Sequence, residues 1–325
     1  MSASTYNLPR VQFKVYLIGH PLGASWPVES HGAAFDDIGL PIAFERCDVP
    51  PVNFHRVMTA LLREQTFLGA KIAAPYKQTT LAYCQEVSPV AQGIGAVNTL
   101  VRRPSGLVHG HNTDVAAFVR CIQTEGVKRV RTALILGAGG AARVALAGLR
   151  ELGCARYLVG YRQPRRPAEL SSQFKGIRRQ MGYFPLQELA DFSNWAQEAG
   201  LFEDARPIPL PPGDAQDDGI KRWNLLVNAT PVGLPPDIGE SIVTCPRFLR
   251  CFERVIDLAP SPEPTRLIEL CIETGVPVLP GKRVFDLQAE FSRELWIKEY
   301  ERRAGLAAAP TAAVKRQPVI KPRPR

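Results

Sequence analysis

The run Thr132-Ala133-Leu134-Ile135-Leu136-Gly137-Ala138-Gly139-Gly140-Ala141-Ala142-Arg143 decides how this chain is read. Its first five residues have the length and composition of a buried strand. Glycines follow at once, and residues 143–152 then suit a helix. Strand, glycine turn and helix in that order can receive a dinucleotide. Gly137 permits the tight turn, Gly139 lets the backbone approach a pyrophosphate, and Ala142 stands where a third small residue packs helix on strand. The helix N-terminus offers free N–H groups and positive potential to phosphates. Ala138, Gly140 and Ala141 complete the cradle. A glycine turn without a ligand is the competing reading, and the clear flanking elements weigh against it.

Just beyond, the end of the next strand (157–160) decides which nucleotide. An NAD site wants an acidic residue there for the ribose hydroxyls. Residues 154–166 contain none; they carry Arg156, Arg162, Arg165 and Arg166. Guanidinium groups pair well with a 2′-phosphate, so the sequence favours NADP(H), with Arg162 and Arg165 as candidate contacts. For Arg165 and Arg166 taken singly, a solvated basic loop also suffices.

Upstream, strands are predicted at 11–18, 42–47 and 68–74, and helices at 28–38, 52–64 and 79–86. A helix at 115–125 opens a second unit, which continues with strands near 225–227, 254–257 and 276–279. Residues 203–220, rich in Pro, Gly and Asp, read as an inserted loop. Residues 285–303 form an amphipathic helix. The alternation predicts a layered α/β fold, and 325 residues suffice for two domains.

Two short runs stand out in the first unit: Gly95-Ala96-Val97-Asn98-Thr99 and Gly110-His111-Asn112-Thr113-Asp114. They read as loops whose amides, hydroxyls and carboxylate need partners if buried, and a hydroxyl-rich ligand would supply them. Lys77 lies upstream in Pro75-Tyr76-Lys77. A lysine and an aspartate converging on a polyol make a proton-transfer device.

The bulk properties narrow the classes. The net charge is +9, but residues 302–325 carry seven basic residues and no acid, leaving +2 for residues 1–301. The Ala/Pro-rich tail is expected to be disordered and passive. The nearly neutral body has no nucleic-acid recognition motif. No stretch approaches a membrane span and no secretory signal core is visible. Seven scattered cysteines form no metal or redox spacing, so free thiols in the cytoplasm and no metal are expected.

Together these residues resemble the shikimate/quinate dehydrogenase family over nearly all of residues 11–300. Residues 69–77 resemble its G-x-N-V-T-x-P-x-K, and 95–99 and 110–114 its G-A-x-N-T and G-x-N-T-D. Residues 137–143 are similar to its G-A-G-G-A-x-R, and 228–233 to its N-A-T-P-x-G. Residues 257–265 follow its D-x-x-Y-x-P-x-x-T, and 281–288 its G-x-x-M-L-x-x-Q. Seven motifs in the family's order make the resemblance specific.

The resemblance implies an αβα substrate-binding domain (1–114, completed by 283–303), a Rossmann NADP domain (115–282) and a basic tail (304–325). It implies hydride transfer between NADP(H) and an alcohol or ketone on an alicyclic carboxylic acid. Lys77 and Asp114 fall on the family's catalytic pair, and Asn98 and Gln288 on residues that hold ring hydroxyls. Asn228, Thr230 and Gly281 join the cofactor-binding candidates. A monomer or homodimer is expected.

The departures cluster on the substrate side. The family's H-S-x-S-P-x-x-H corresponds to residues 24–31, where Ser25 survives and Pro27 replaces the second serine. The substrate threonine is Ala73, the substrate tyrosine Pro260, and the asparagine before the threonine Lys71. An altered substrate is therefore expected; a non-catalytic sensor that keeps the nucleotide site is the alternative. Lys71 and Ala73 share a strand face, and Lys71 is read as supplying positive charge to an anionic group. A lysine turned to solvent at a strand edge is its other reading.

Overall fold

The computed structural model describes residues 12–22, 33–127, 129–189 and 223–304. The first sheet contains β1 (Phe13–Gly19), β2 (Ile42–Asp48), β3 (Phe67–Ile72), β4 (Glu86–Val87), β5 (Thr99–Arg102) and β6 (Val108–His111). Its order is β2-β1-β3-β5-β6-β4. β1 pairs parallel with β2 and β3, and β5 runs antiparallel to β3 and β6. Helices α1 (Phe54–Leu61) and α2 (Pro89–Ile94) accompany it, and α3 (Thr113–Thr124) follows β6 and buries its apolar side in the core of the second half.

The second sheet is wholly parallel. It holds β7 (Thr132–Leu136), β8 (Arg156–Tyr161), β9 (Met181–Pro185), β10 (Trp223–Asn228), β11 (Phe252–Asp257) and β12 (Val278–Pro280). The order β12-β11-β10-β7-β8-β9 is that of a doubly wound dinucleotide fold, whose switch point lies between β7 and β10. All five residues of β7 are buried, as expected of a strand covered on both faces. Helices α4 (Gly140–Glu151), α5 (Arg166–Gln173) and α6 (Arg266–Thr274) belong to this half. Thr265 caps α6 by accepting from the Ile268 N–H, and Gly275 at φ 72° ends it.

The last helix, α7 (Gly281–Arg303), leaves β12 and crosses back over the first sheet. Gln288, Ser292, Trp296 and Glu299 lie on its buried side. Trp296 donates from Nε1 to the Leu100 carbonyl at 2.9 Å. A Cβ on Gly69 would sit 2.2 Å from that same carbonyl and 2.5 Å from the indole nitrogen, so β3 carries glycine under Trp296. Four residues of helix advance about 6 Å and two residues of strand about 6.6 Å. Stepping back from Trp296 to Ser292 therefore steps from Gly69 to Lys71. Glu299 is buried between Arg103 (3.2 Å), Arg303 (3.6 Å) and Arg302.

Several expectations change. Residues 79–86 form a 3₁₀ turn (Thr79–Tyr83) and then β4, not a helix; two threonines and a short span disfavour α-helix there. The runs read as loops are element ends: Thr99 opens β5, His111 closes β6, and Asn112 caps α3. Strands of four residues give little periodicity to read. α7 begins four residues earlier than expected. Of the helix at 28–38, residues 33–36 are helical and 28–32 lie outside the described residues. The inserted loop at 203–220 and the tail from 305 also lie outside them. Among the described residues no helix is long and apolar enough to cross a membrane.

Candidate active site

A cleft of about 470 Å³ joins the two halves. Lys77, Asp114 and Gln288 line one side, and Gly140, Ala141, Arg143 and Arg166 the other. Lys77 follows β3 in a loop pinned by the Val97 N–H, which donates to its carbonyl at 2.7 Å. Asp114 sits in the first turn of α3, where the Asn112 side chain accepts its N–H. The Lys77 ammonium donates to Asp114 Oδ2 at 2.7 Å. Burial pushes the Asp114 carboxyl up. The charges of Lys77 and Lys71 and hydrogen bonds from Lys77 and Asn98 outweigh burial and hold it below the ordinary carboxylate range. The Asp114 carboxyl is thus held in its charged form, and the Lys77 side chain bonded to it lines the cleft.

Asn98 is fully buried, and its polar atoms are engaged within the protein. Oδ1 accepts from Thr99 Oγ1 (2.8 Å) and the Thr113 N–H (2.9 Å), and Nδ2 donates to Thr113 Oγ1 (3.0 Å). Gln288 lines the cleft while donating from Nε2 to the Phe285 carbonyl at 2.8 Å. Lys71 is not at a solvent edge. It is 7% exposed on the central strand β3, and its ammonium donates to Gln288 Oε1, Ser292 Oγ (2.8 Å) and Thr113 Oγ1 (3.4 Å). It therefore stands one side chain behind the cleft. Burial pushes it down to about 7; Asp114 opposes that shift, while Lys77 and Arg293 add to it. Pro260 lines the cleft. Ser25 and Pro27 lie outside the described residues.

On the nucleotide side the turn after β7 has the required form. Gly137 has φ 110°, and a Cβ there would meet the Ala229 carbonyl at 2.8 Å, so the loops after β7 and β10 touch at the switch point. Around Gly139 and Gly140 a Cβ would meet nothing within 4 Å. That is open backbone at the N-terminus of α4, a cradle suited to a pyrophosphate. Arg162 is exposed at the end of β8. Arg165 is 72% exposed and lies 3.6 Å from Glu169, and Arg166 pairs with the same carboxylate at 2.8 Å. These groups fit a phosphorylated dinucleotide.

Asn228 and Thr230 instead hold the β10 loop together. Asn228 donates to Asp257 Oδ1 (2.9 Å) and accepts from the Thr230 N–H and hydroxyl. Gly281 lets α7 start against the end of β11, since a Cβ would sit 2.5 Å from the carbonyls of Asp257 and Ala259. Sequence reasoning passed over Arg143, which lines the cleft, and Thr113 and Ser292, which bind the Lys71 ammonium. Arg143 closes the glycine motif. The recurrence of Gln288, Ser292 and Trp296 every four residues was the signal for the others.

With this geometry in hand, the comparisons with known proteins are decisive. The family described as "Shikimate dehydrogenase substrate binding domain" matches residues 17–100. Shikimate dehydrogenase (NADP(+)) of a Nostoc species is 30% identical over 87% of this chain and 90% of its own length. That of Trichormus variabilis is 31% identical over the same shares. The chain belongs to the shikimate dehydrogenase family. Among solved structures, shikimate 5-dehydrogenase of Thermus thermophilus in complex with NADP(H) and shikimate superposes with a TM-score of 0.67. It is 28% identical and covers 90% of this chain and 99% of its own. The Listeria monocytogenes shikimate 5-dehydrogenase, 22% identical over 92% of this chain, shares the fold with a TM-score of 0.73. Of this chain's departures from the family pattern, Lys71 lies on β3, Ala73 just beyond its end against the core of the first half, and Pro260 on the cleft wall. Among the described residues no cluster of His, Cys, Asp or Glu could hold a metal, and all seven cysteines are free.

Proposed function

We propose that this protein is an NADP(H)-dependent oxidoreductase of shikimate dehydrogenase type, acting on an alicyclic hydroxy acid of the shikimate/quinate class with altered specificity. One observation carries the reading. The Lys77–Asp114 pair and the glycine turn of α4 open onto the same cleft. Residues 1–114 with 283–303 would form the substrate half and residues 115–282 the nucleotide half. NADP-named relatives over most of the chain and the acid-free, arginine-bearing end of β8 support the cofactor.

The open backbone at Gly139 and Gly140 would hold NADPH at the N-terminus of α4, and the cofactor would supply the hydride that a ring ketone accepts. The ketone oxygen then needs a proton. Lys77 gives it one from its ammonium, so that the C–O double bond becomes a C–H and an O–H, and the amine is reprotonated from solvent. In the reverse direction the neutral amine takes the hydroxyl proton. Asp114 orients Lys77 and stabilises its charged form. Gln288 positions the ring from α7, and Asn98 fixes Asp114 from below.

The test is NADPH oxidation with the keto forms of shikimate and quinate and related ring acids. Lys77→Ala should lower turnover by about 10²- to 10⁴-fold and leave NADPH affinity unchanged. Equal turnover in the variant would remove Lys77 from the mechanism. Binding without turnover across the panel would refute the enzyme reading.

A further inference from the structure

The Lys71 ammonium has three hydrogens and three neutral oxygens to receive them: Gln288 Oε1, Ser292 Oγ and Thr113 Oγ1. Its hydrogen bonds are complete, but its charge is not balanced. Buried charges are ordinarily paired, and among the described residues no carboxylate lies within ion-pair distance of it. Asp114 is the one carboxylate whose field is felt at Lys71, and it is bonded to Lys77. Lys77 and Arg293 also face Lys71, and both add positive field. Asp114 is taken up by Lys77, so the Lys71 ammonium is left without a carboxylate of its own, one side chain beneath the cleft surface.

Gln288 conducts that charge to the ligand. Its carbonyl oxygen is held by the ammonium, and one amide hydrogen is spent on the Phe285 carbonyl. What remains toward the cleft is an N–H donor backed by a cation, which is a poor seat for a donating hydroxyl and a good one for an anion. We propose that Lys71 is a specificity-determining residue, and that the substrate's carboxylate docks on the Gln288 amide and supplies the counter-charge Lys71 lacks. This rests on the reading of the cleft as a ring-acid site. It differs from direct contact, because the lysine acts through Gln288.

The experiment is calorimetric titration of the full-length protein, saturated with NADPH, with shikimate and with its methyl ester. NADPH cannot reduce either alcohol, so the binding is read without turnover. At pH 7 the acid should bind tighter than the ester by about tenfold. Lys71→Met should erase the difference by weakening the acid alone. Affinity for the acid should fall as pH rises beyond 7, because the ammonium is lost. Titrations at pH 8 in buffers of different ionisation enthalpy should show proton uptake with the acid, absent with the ester and in Lys71→Met. Ser292→Ala removes one ammonium partner without touching the cleft lining, and it should lower the acid-to-ester ratio in the same direction. It decides the matter if Lys71→Met fails to fold.

An unchanged ratio in a folded variant overturns the inference. A charge-sensitive ratio without turnover of the keto acid overturns the proposed function and leaves the inference standing. No binding of the acid overturns both.

Discussion

At the scale of single residues the structure separates two lysines that the sequence placed six positions apart. Lys77 opens to the cleft on a carboxylate, whereas Lys71 is buried among neutral oxygens. Asp114→Asn should lower kcat by about 10²-fold with a smaller effect on KM, because it disorients Lys77 without removing a ligand contact; steady-state kinetics with the keto acid checks it. Lys71 also links stability to pH. It loses its proton near 7 in the fold and near 10.5 when unfolded. Between these values the unfolded chain holds more protons, so this group makes stability rise with pH across that window. Urea unfolding at pH 6.5, 8 and 9.5 should show the rise in the wild type and lose it in Lys71→Met. That Lys77 and Asp114 meet was legible because each ends a motif. Burial of Lys71 was not, because the residue that covers it, Ser292, lies 221 positions away.

At the scale of elements, α7 locks onto β3 through matched residues. Gly69→Ala would drive a methyl into the Leu100 carbonyl and the Trp296 indole. Neither can move without breaking the other's hydrogen bond, so a loss of about 1–3 kcal/mol is expected, measured by chemical denaturation. Glu299→Gln should cost more, about 3–5 kcal/mol, since it leaves Arg103 and Arg303 facing an uncharged buried amide. Hydrophobic pattern located the helix but not the polar residues on its buried side, which keep the helical spacing yet are buried because they have partners on β3 and β5. Its true start was hidden by Pro280 and Gly281, which look like a boundary. There the glycine serves close approach to the β11 carbonyls.

For the molecule as a whole, the type of the second sheet was readable from 132–143, because a doubly wound sheet advertises itself in one strand–turn–helix unit, whereas its edge strand β9 (Met181–Pro185) was not expected. The first sheet was harder: its hairpin β5–β6 lies between two runs that look like loops and shares only its ends with them. The halves are joined by more than the chain. Glu125, at the end of α3, bonds Arg254 of β11 at 2.8 Å and also Arg283 of α7. Glu125→Gln should loosen this three-way junction, seen as faster amide hydrogen exchange at the C-terminal end of α3 and the first turn of α7, with the sheet interiors unchanged.

The return of α7 also bears on how the protein is made. Gly69, Lys71 and Leu100 wait for partners at 288–296, so the first half to leave the ribosome is the last to be completed. Until then β3 exposes a bare glycine groove and an ammonium that lacks two of its three acceptors. The strands of the nucleotide half are all made once β12 leaves the ribosome, and the helix that closes the first half follows directly after them. A nascent chain halted before residue 281 would therefore carry a formed second sheet and an open, protease-sensitive first one.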